Sequence, residues 1–146
     1  MKSSMTRCLI LLLINILTAA TLAGAVDDKK VDLITVDELK TKVSANETLL
    51  ILDVRSSESY ANSRTKIKGA LHFQVRKLKF RLRFPPLKDI PKHQTVVTYC
   101  ACPSEEAAIQ AAQVLIENGF TNVKALKGGW VGWQKANGPV EARAMN

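Results

Sequence analysis

Cys100 closes the strongest strand signal in the chain, Thr95-Val96-Val97-Thr98-Tyr99, and stands a few residues before a helix-forming run. Ser104 is placed to cap that helix, which is expected to run to about Asn118 and to stop at Gly119. A cysteine between a strand end and a helix start faces unpaired backbone N–H groups and the positive end of the helix dipole. Both favour thiolate over thiol, and the thiolate is the nucleophile of sulfur chemistry. The competing assignment for Cys100 is a small buried apolar residue. Cys102 stands two residues on. It could act as a resolving thiol, closing a tight and easily reduced ring with Cys100. Two thiolates with no neighbouring His or Met make an incomplete set for a soft metal ion, so no metal is expected. Asp53 and Arg55 follow a second apolar run and could support a site. A buried or rim ion pair that holds the loop is the simpler role for them.

Positioning these residues needs a sheet. Residues 49–52 are uniformly apolar, as in a strand covered on both faces. Short strands are expected at residues 70–73 and 123–126. Helices are expected after Thr35, where Glu38 completes a capping-box spacing, and over residues 130–136. Residues 56–68 read as a long loop. Trp130 and Trp133 are placed to pack the last helix against the sheet. Residues 77–83 alternate Lys77, Lys79, Arg81 and Arg83 with Leu78, Phe80 and Leu82, a period-two pattern that favours a strand. Val75, Leu78 and Leu82 fit one face of a helix equally well. Strands alternating with helices imply a three-layer α/β domain with a mostly parallel sheet.

The ends of the chain carry a different message. Lys2 and Arg7 precede an apolar run from Cys8, and Ala23-Gly24-Ala25 supplies small residues at the cleavage spacing. Residues 1–25 therefore read as a secretory signal peptide, residues 26–32 as a flexible start and residues 142–146 as a tail. The chain is expected to be secreted or periplasmic. Its formal charge of +8 loses only Lys2 and Arg7 on cleavage. Cys8 leaves with the signal, so Cys100 and Cys102 remain to meet an oxidising compartment. Neither a Gly-rich phosphate loop nor a zinc-type cysteine pattern occurs, which argues against a nucleotide-dependent enzyme, a zinc site and, with them, any cofactor. From Arg64 to Arg83 inclusive the chain has eight basic residues and no acid. That is a solvated face, or a surface for an acidic protein or anionic lipid. Nucleic acid is not expected of an exported chain with few aromatic residues to stack on bases.

Four segments carry a resemblance to a known family. They are Asp53-Val54-Arg55; Ile67-Lys68-Gly69-Ala70; Val96-Val97-Thr98-Tyr99-Cys100; and Leu126-Lys127-Gly128-Gly129-Trp130 with Trp133, Gly138, Pro139 and Val140. In this order they resemble a single rhodanese domain over residues 33–141. The resemblance implies a rhodanese-like three-layer α/β domain with a mostly parallel five-stranded sheet. It also implies a helix across the basic stretch, and sulfane-sulfur transfer through a persulfide on Cys100 between a small donor and a thiol acceptor. The candidate loop is Ala101, Cys102, Pro103, Ser104, Glu105 and Glu106. Active rhodaneses usually carry glycine three residues after the cysteine and arginine five after it; here those places hold Pro103 and Glu105. Proline removes one N–H from the loop. Glu105 and Glu106 put carboxylates where a dianionic donor would dock, so thiosulfate is expected to be a poor donor. The same two residues also suit the first turn of a helix. Two other functions stay open on this sequence: a catalytically inactive binding module on the same fold, and a dithiol redox protein using Cys100 and Cys102.

Overall fold

The computed structural model describes residues 30–101 and 104–143. The expected signal peptide at residues 1–25, together with Cys102, Pro103 and residues 144–146, lies outside the described residues.

Five parallel strands form one sheet: β1 (Asp32–Ile34), β2 (Leu50–Asp53), β4 (Leu71–His72), β5 (Val96–Tyr99) and β6 (Val123–Leu126). Their spatial order is β1-β6-β5-β2-β4. Two further strands, β3 (Thr65–Ile67) and β7 (Val140–Ala142), make a separate antiparallel ribbon. Five α-helices connect the strands: α1 (Val36–Ser44), α2 (Ser57–Ala61), α3 (Val75–Arg81), α4 (Glu106–Glu117) and α5 (Gly129–Lys135). The expected α/β fold with a five-stranded sheet is the one observed.

The central strands β2 and β5 are buried along their whole length, which suits the apolar Leu50-Ile51-Leu52 of β2 and the β-branched Val96-Val97-Thr98 of β5. Alternation along β5 sends Val96 and Cys100 to one face of the sheet and Val97 and Tyr99 to the other. On the first face, Leu78 and Leu82 from the α3 region and Ala108, Ala111, Ala112 and Leu115 from α4 close the core. The alanines let α4 approach the strands closely. Thr98 exploits that approach, donating its hydroxyl to the Ala108 carbonyl at 2.8 Å. On the second face, Leu39 of α1 and Trp130 and Trp133 of α5 pack over Ile34, Ile51 and Leu126. Each fully buried Leu or Ile removes apolar area worth about 1.5–3 kcal/mol from water.

Several local expectations hold. Thr35 caps α1 through its side chain, and Glu38 returns the bond to the Thr35 backbone at 2.9 Å. α4 ends at Asn118 before Gly119, and Trp133 is fully buried, its indole N–H bonded to the Pro139 carbonyl at 3.1 Å.

Others are corrected. Residues 56–68 are not one long loop, because they contain α2 and β3. α2 is five residues long and buries none of them, so it has no apolar period to read. β3 is a strand only because β7, more than seventy positions away, pairs with it. The expected flexible start is ordered from Val31, which is buried, and Asp32 pairs with Lys124 in β1. Residues 142 and 143 of the expected tail are part of the fold: β7 runs through Ala142, and Arg143 donates to the carbonyls of Ser63 and Ala61. The basic stretch is helical. Leu78 and Leu82, one helical turn apart, both reach the core, and burying them outweighs the alternating pattern of charges.

Candidate active site

The strand order creates the site. From β2 the chain crosses to β4 on one side, whereas β5 and β6 lie on the other side of β2. The order therefore reverses between β2 and β5, and the crevice at their carboxyl ends is where an open parallel sheet holds its ligand. Asp53 pairs in register with Tyr99 across this boundary. Arg55 and Cys100 stand just beyond it, one at the end of each strand.

Cys100 is buried, at 2 % exposure, and faces the α4 side of the sheet. Its carbonyl accepts the Trp130 backbone N–H at 2.8 Å, which joins the cysteine to the start of α5. Ala101 is half-buried and Ser104 is exposed in a turn. Ser104 is not the helix cap. The cap is Glu105, in the left-handed conformation at φ 54°, and Glu106 is the exposed first residue of α4. The Glu105 carbonyl accepts the Ile109 N–H at 2.8 Å, while its carboxylate reaches across to accept the Gly128 N–H at 2.6 Å. Gly128 is itself left-handed, at φ 79°, which turns its N–H out of the β6–α5 connection. One carboxylate therefore pins the candidate loop to the Gly128-Gly129-Trp130 turn. Among the described residues no ion pair includes Glu105.

Asp53 and Arg55 are brought together as a fully buried pair. Arg55 Nη2 lies 2.6 Å from Asp53 Oδ2, and Nε lies 3.0 Å from each carboxylate oxygen. The Arg55 backbone N–H also donates to Asp53, at 3.1 Å. Tyr99 donates its hydroxyl to Asp53 Oδ2 at 2.6 Å and accepts the Ile67 N–H at 3.3 Å. Burial pushes the Tyr99 hydroxyl well above the ordinary tyrosine range, and the Asp53 carboxylate adds to the shift. Burial opposes the charge of Arg55, but the hydrogen bond and charge of Asp53 more than offset it, so its pKa is raised. The guanidinium lies 4.5 Å from the Trp130 ring centre and 5.3 Å from that of Tyr60. His72 stacks on Tyr60 at 3.8 Å, with Nε2 3.0 Å from the Arg55 carbonyl.

Sequence reasoning singled out Cys100, Asp53 and Arg55 as candidates and did not single out Tyr99, Tyr60 or the Gly128 contact, which the structure places beside them. Tyr99 reads locally only as a good strand former. Its position directly before the candidate nucleophile, on the opposite face, was the available signal. Arg55 also lines an open cavity of about 550 Å³ with Ser59, Arg64, Trp130 and Gln134, and Nη1 is the guanidinium nitrogen with no hydrogen-bond partner among the described residues. No group of three or more His, Cys, Asp or Glu side chains gathers among the described residues to hold a metal ion.

Comparison with known proteins agrees with this geometry. The family model for the rhodanese-like domain matches residues 35–136. A sulfurtransferase from Allochromatium vinosum is 28 % identical over 106 residues, covering 73 % of this chain and 91 % of that protein. The solution structure of a rhodanese-like domain from Anabaena sp. superposes with a TM-score of 0.63 at 27 % identity, over 78 % of this chain and 81 % of that one. A human single-domain sulfurtransferase shares the fold, with a TM-score of 0.61 at 23 % identity, over 73 % of this chain and 97 % of that one. With a cysteine at the switch point of a five-stranded parallel sheet and a family match across most of its length, this chain belongs to the rhodanese-like domain family.

Proposed function

We propose that the protein is an exported sulfurtransferase that carries sulfane sulfur as a persulfide on Cys100. The observation that carries this reading is the placement of Cys100 at the carboxyl end of β5, at the switch point and ahead of the twelve-residue helix α4. The N-terminus of such a helix presents about half a positive charge and unpaired N–H groups, which stabilise a thiolate and equally a persulfide anion. The Cys100 thiolate attacks the sulfane sulfur of a polysulfide. A new S–S bond forms to Cys100, the donor's S–S bond breaks, and the shortened polysulfide leaves with the electron pair. An acceptor thiolate then attacks the outer sulfur, takes it, and returns Cys100 as thiolate. No net oxidant or reductant is consumed.

The test is intact-mass analysis of exported protein after brief exposure to polysulfide. The wild type and Cys102→Ser are expected to gain one sulfur, and Cys100→Ser none. The same spectrum reads whether residues 1–25 have been removed. Loading that survives Cys100→Ser but not Cys102→Ser reverses the assignment. No loading in any form supports the binding module instead.

Glu105 shapes the donor preference. Its carboxylate serves as a strut to Gly128, and its negative charge lies in the loop that a donor would approach. Glu105→Arg would break the strut. Glu105→Gln keeps an acceptor oxygen for the Gly128 N–H and removes the charge. Turnover with thiosulfate is expected to rise about tenfold in Glu105→Gln, the equivalent of one like-charge repulsion of about 1.4 kcal/mol relieved in a partly buried site. Steady-state kinetics check it, and unchanged thiosulfate turnover in a folded variant would show that this charge does not limit the donor.

A further inference from the structure

We infer that the exposed side of α3 and the turn after it form a docking surface for an anionic lipid leaflet. Leu78 and Leu82 anchor this segment in the core, so its other side is fixed outward. Among the described residues, Phe80 is the most exposed large apolar side chain at 59 %, and Phe84 is exposed at 43 %. Their rings lie 5.0 Å apart and make one apolar patch, where isolated surface residues would need no explanation. Arg76, Lys77, Lys79, Arg83 and Lys88 on the same segment are exposed. Between Glu58 and Asp89 the sequence contains no acid, and Asp89, exposed beside Lys88, is the one carboxylate at the edge of the group on this segment.

Charge alone would make an ordinary solvated face. Two neighbouring exposed phenylalanines on a segment of exposed cations call for a partner that is anionic and also has an apolar interior within side-chain reach. A leaflet with acidic headgroups supplies both: phosphates for the cations and the acyl boundary for the rings. An acidic protein would satisfy the cations and leave the rings without a reason to stand outward. The contact is superficial, since no helix among the described residues is long and apolar enough to cross a membrane. It is independent of any chemistry at Cys100.

Co-sedimentation with large vesicles tests this. The protein is expected to bind phosphatidylcholine vesicles containing about a third phosphatidylglycerol at ordinary ionic strength. Binding to pure phosphatidylcholine should be at least about tenfold weaker. Raising the salt to roughly 0.5 M should release most of the bound protein, because the cations are exposed and screened. Phe80→Ser/Phe84→Ser should lower partitioning about tenfold while leaving thermal melting unchanged, and Lys77→Glu/Lys79→Glu should lower it at least as far. Absence of binding, equal binding to neutral vesicles, or full binding by the phenylalanine variant overturns the proposal. Tight binding to soluble polyglutamate that ignores the phenylalanines would assign the surface to an acidic protein.

Discussion

Asp53→Ala is expected to lower the free energy of unfolding by about 3–5 kcal/mol, the usual consequence of stranding one member of a buried ion pair. Asp53 is fully buried and accepts from Arg55 Nε, Nη2 and backbone N–H and from the Tyr99 hydroxyl. Removing the carboxylate leaves a guanidinium inside the protein whose remaining hydrogen bond among the described residues is the 3.2 Å contact from Nη2 to the Thr65 carbonyl. The ring faces of Trp130 and Tyr60 offset only part of that loss. Tyr99→Phe removes one bond to the same carboxylate and keeps the ion pair, so it should cost about 1.5–3 kcal/mol. Denaturant unfolding of the two variants and their double mutant checks the ordering. Because both side chains meet at one oxygen, their effects should add to less than the sum. A loss under about 1 kcal/mol in Asp53→Ala would mean that the pair does not organise the carboxyl end of the sheet.

Cys100→Ser is expected to reduce sulfur transfer from polysulfide by about a thousandfold or more, to the rate of uncatalysed exchange. A serine hydroxyl is far harder to ionise than a thiol and forms no persulfide, so the covalent step disappears and simple binding is left. Cys102→Ser should keep turnover under reducing conditions and resist inactivation by mild oxidation, since a bridged Cys100 cannot attack a donor. Steady-state rates for the two variants, with melting curves as the control for folding, decide it. Equal activity in wild type and Cys100→Ser would end the persulfide reading and leave the fold as a recognition module.

Much of this was legible in the chain itself. The capping box at Thr35 and Glu38 closes within one turn, β2 announces itself by an apolar run and β5 by its β-branched residues. The order of strand, cysteine and helix placed the candidate nucleophile. Strands alternating with helices pointed to a mostly parallel sheet, and the resemblance carried by four segments supplied its five strands. α3 shows where local reading stops. Its charges alternate with period two while its buried leucines follow the helical turn, and only the core facing α4 decides between them. Glu105 shows the same limit at the site. Its type suits a first helical turn, yet its carboxylate bonds Gly128, twenty-three positions on, and the cap is made by a left-handed backbone instead.

The sequence by itself determined the elements whose partners lie within a turn or a strand, and the position of Cys100 among them. The tertiary structure alone decided that residues 65–67 pair with residues 140–142, that Tyr99 joins the Asp53–Arg55 pair in one buried network, and that Phe80 and Phe84 are left outside. The physical reason is range. A hydrogen bond between near neighbours is written into adjacent residue types, whereas burial and cross-chain pairing depend on which distant surface arrives to complete them.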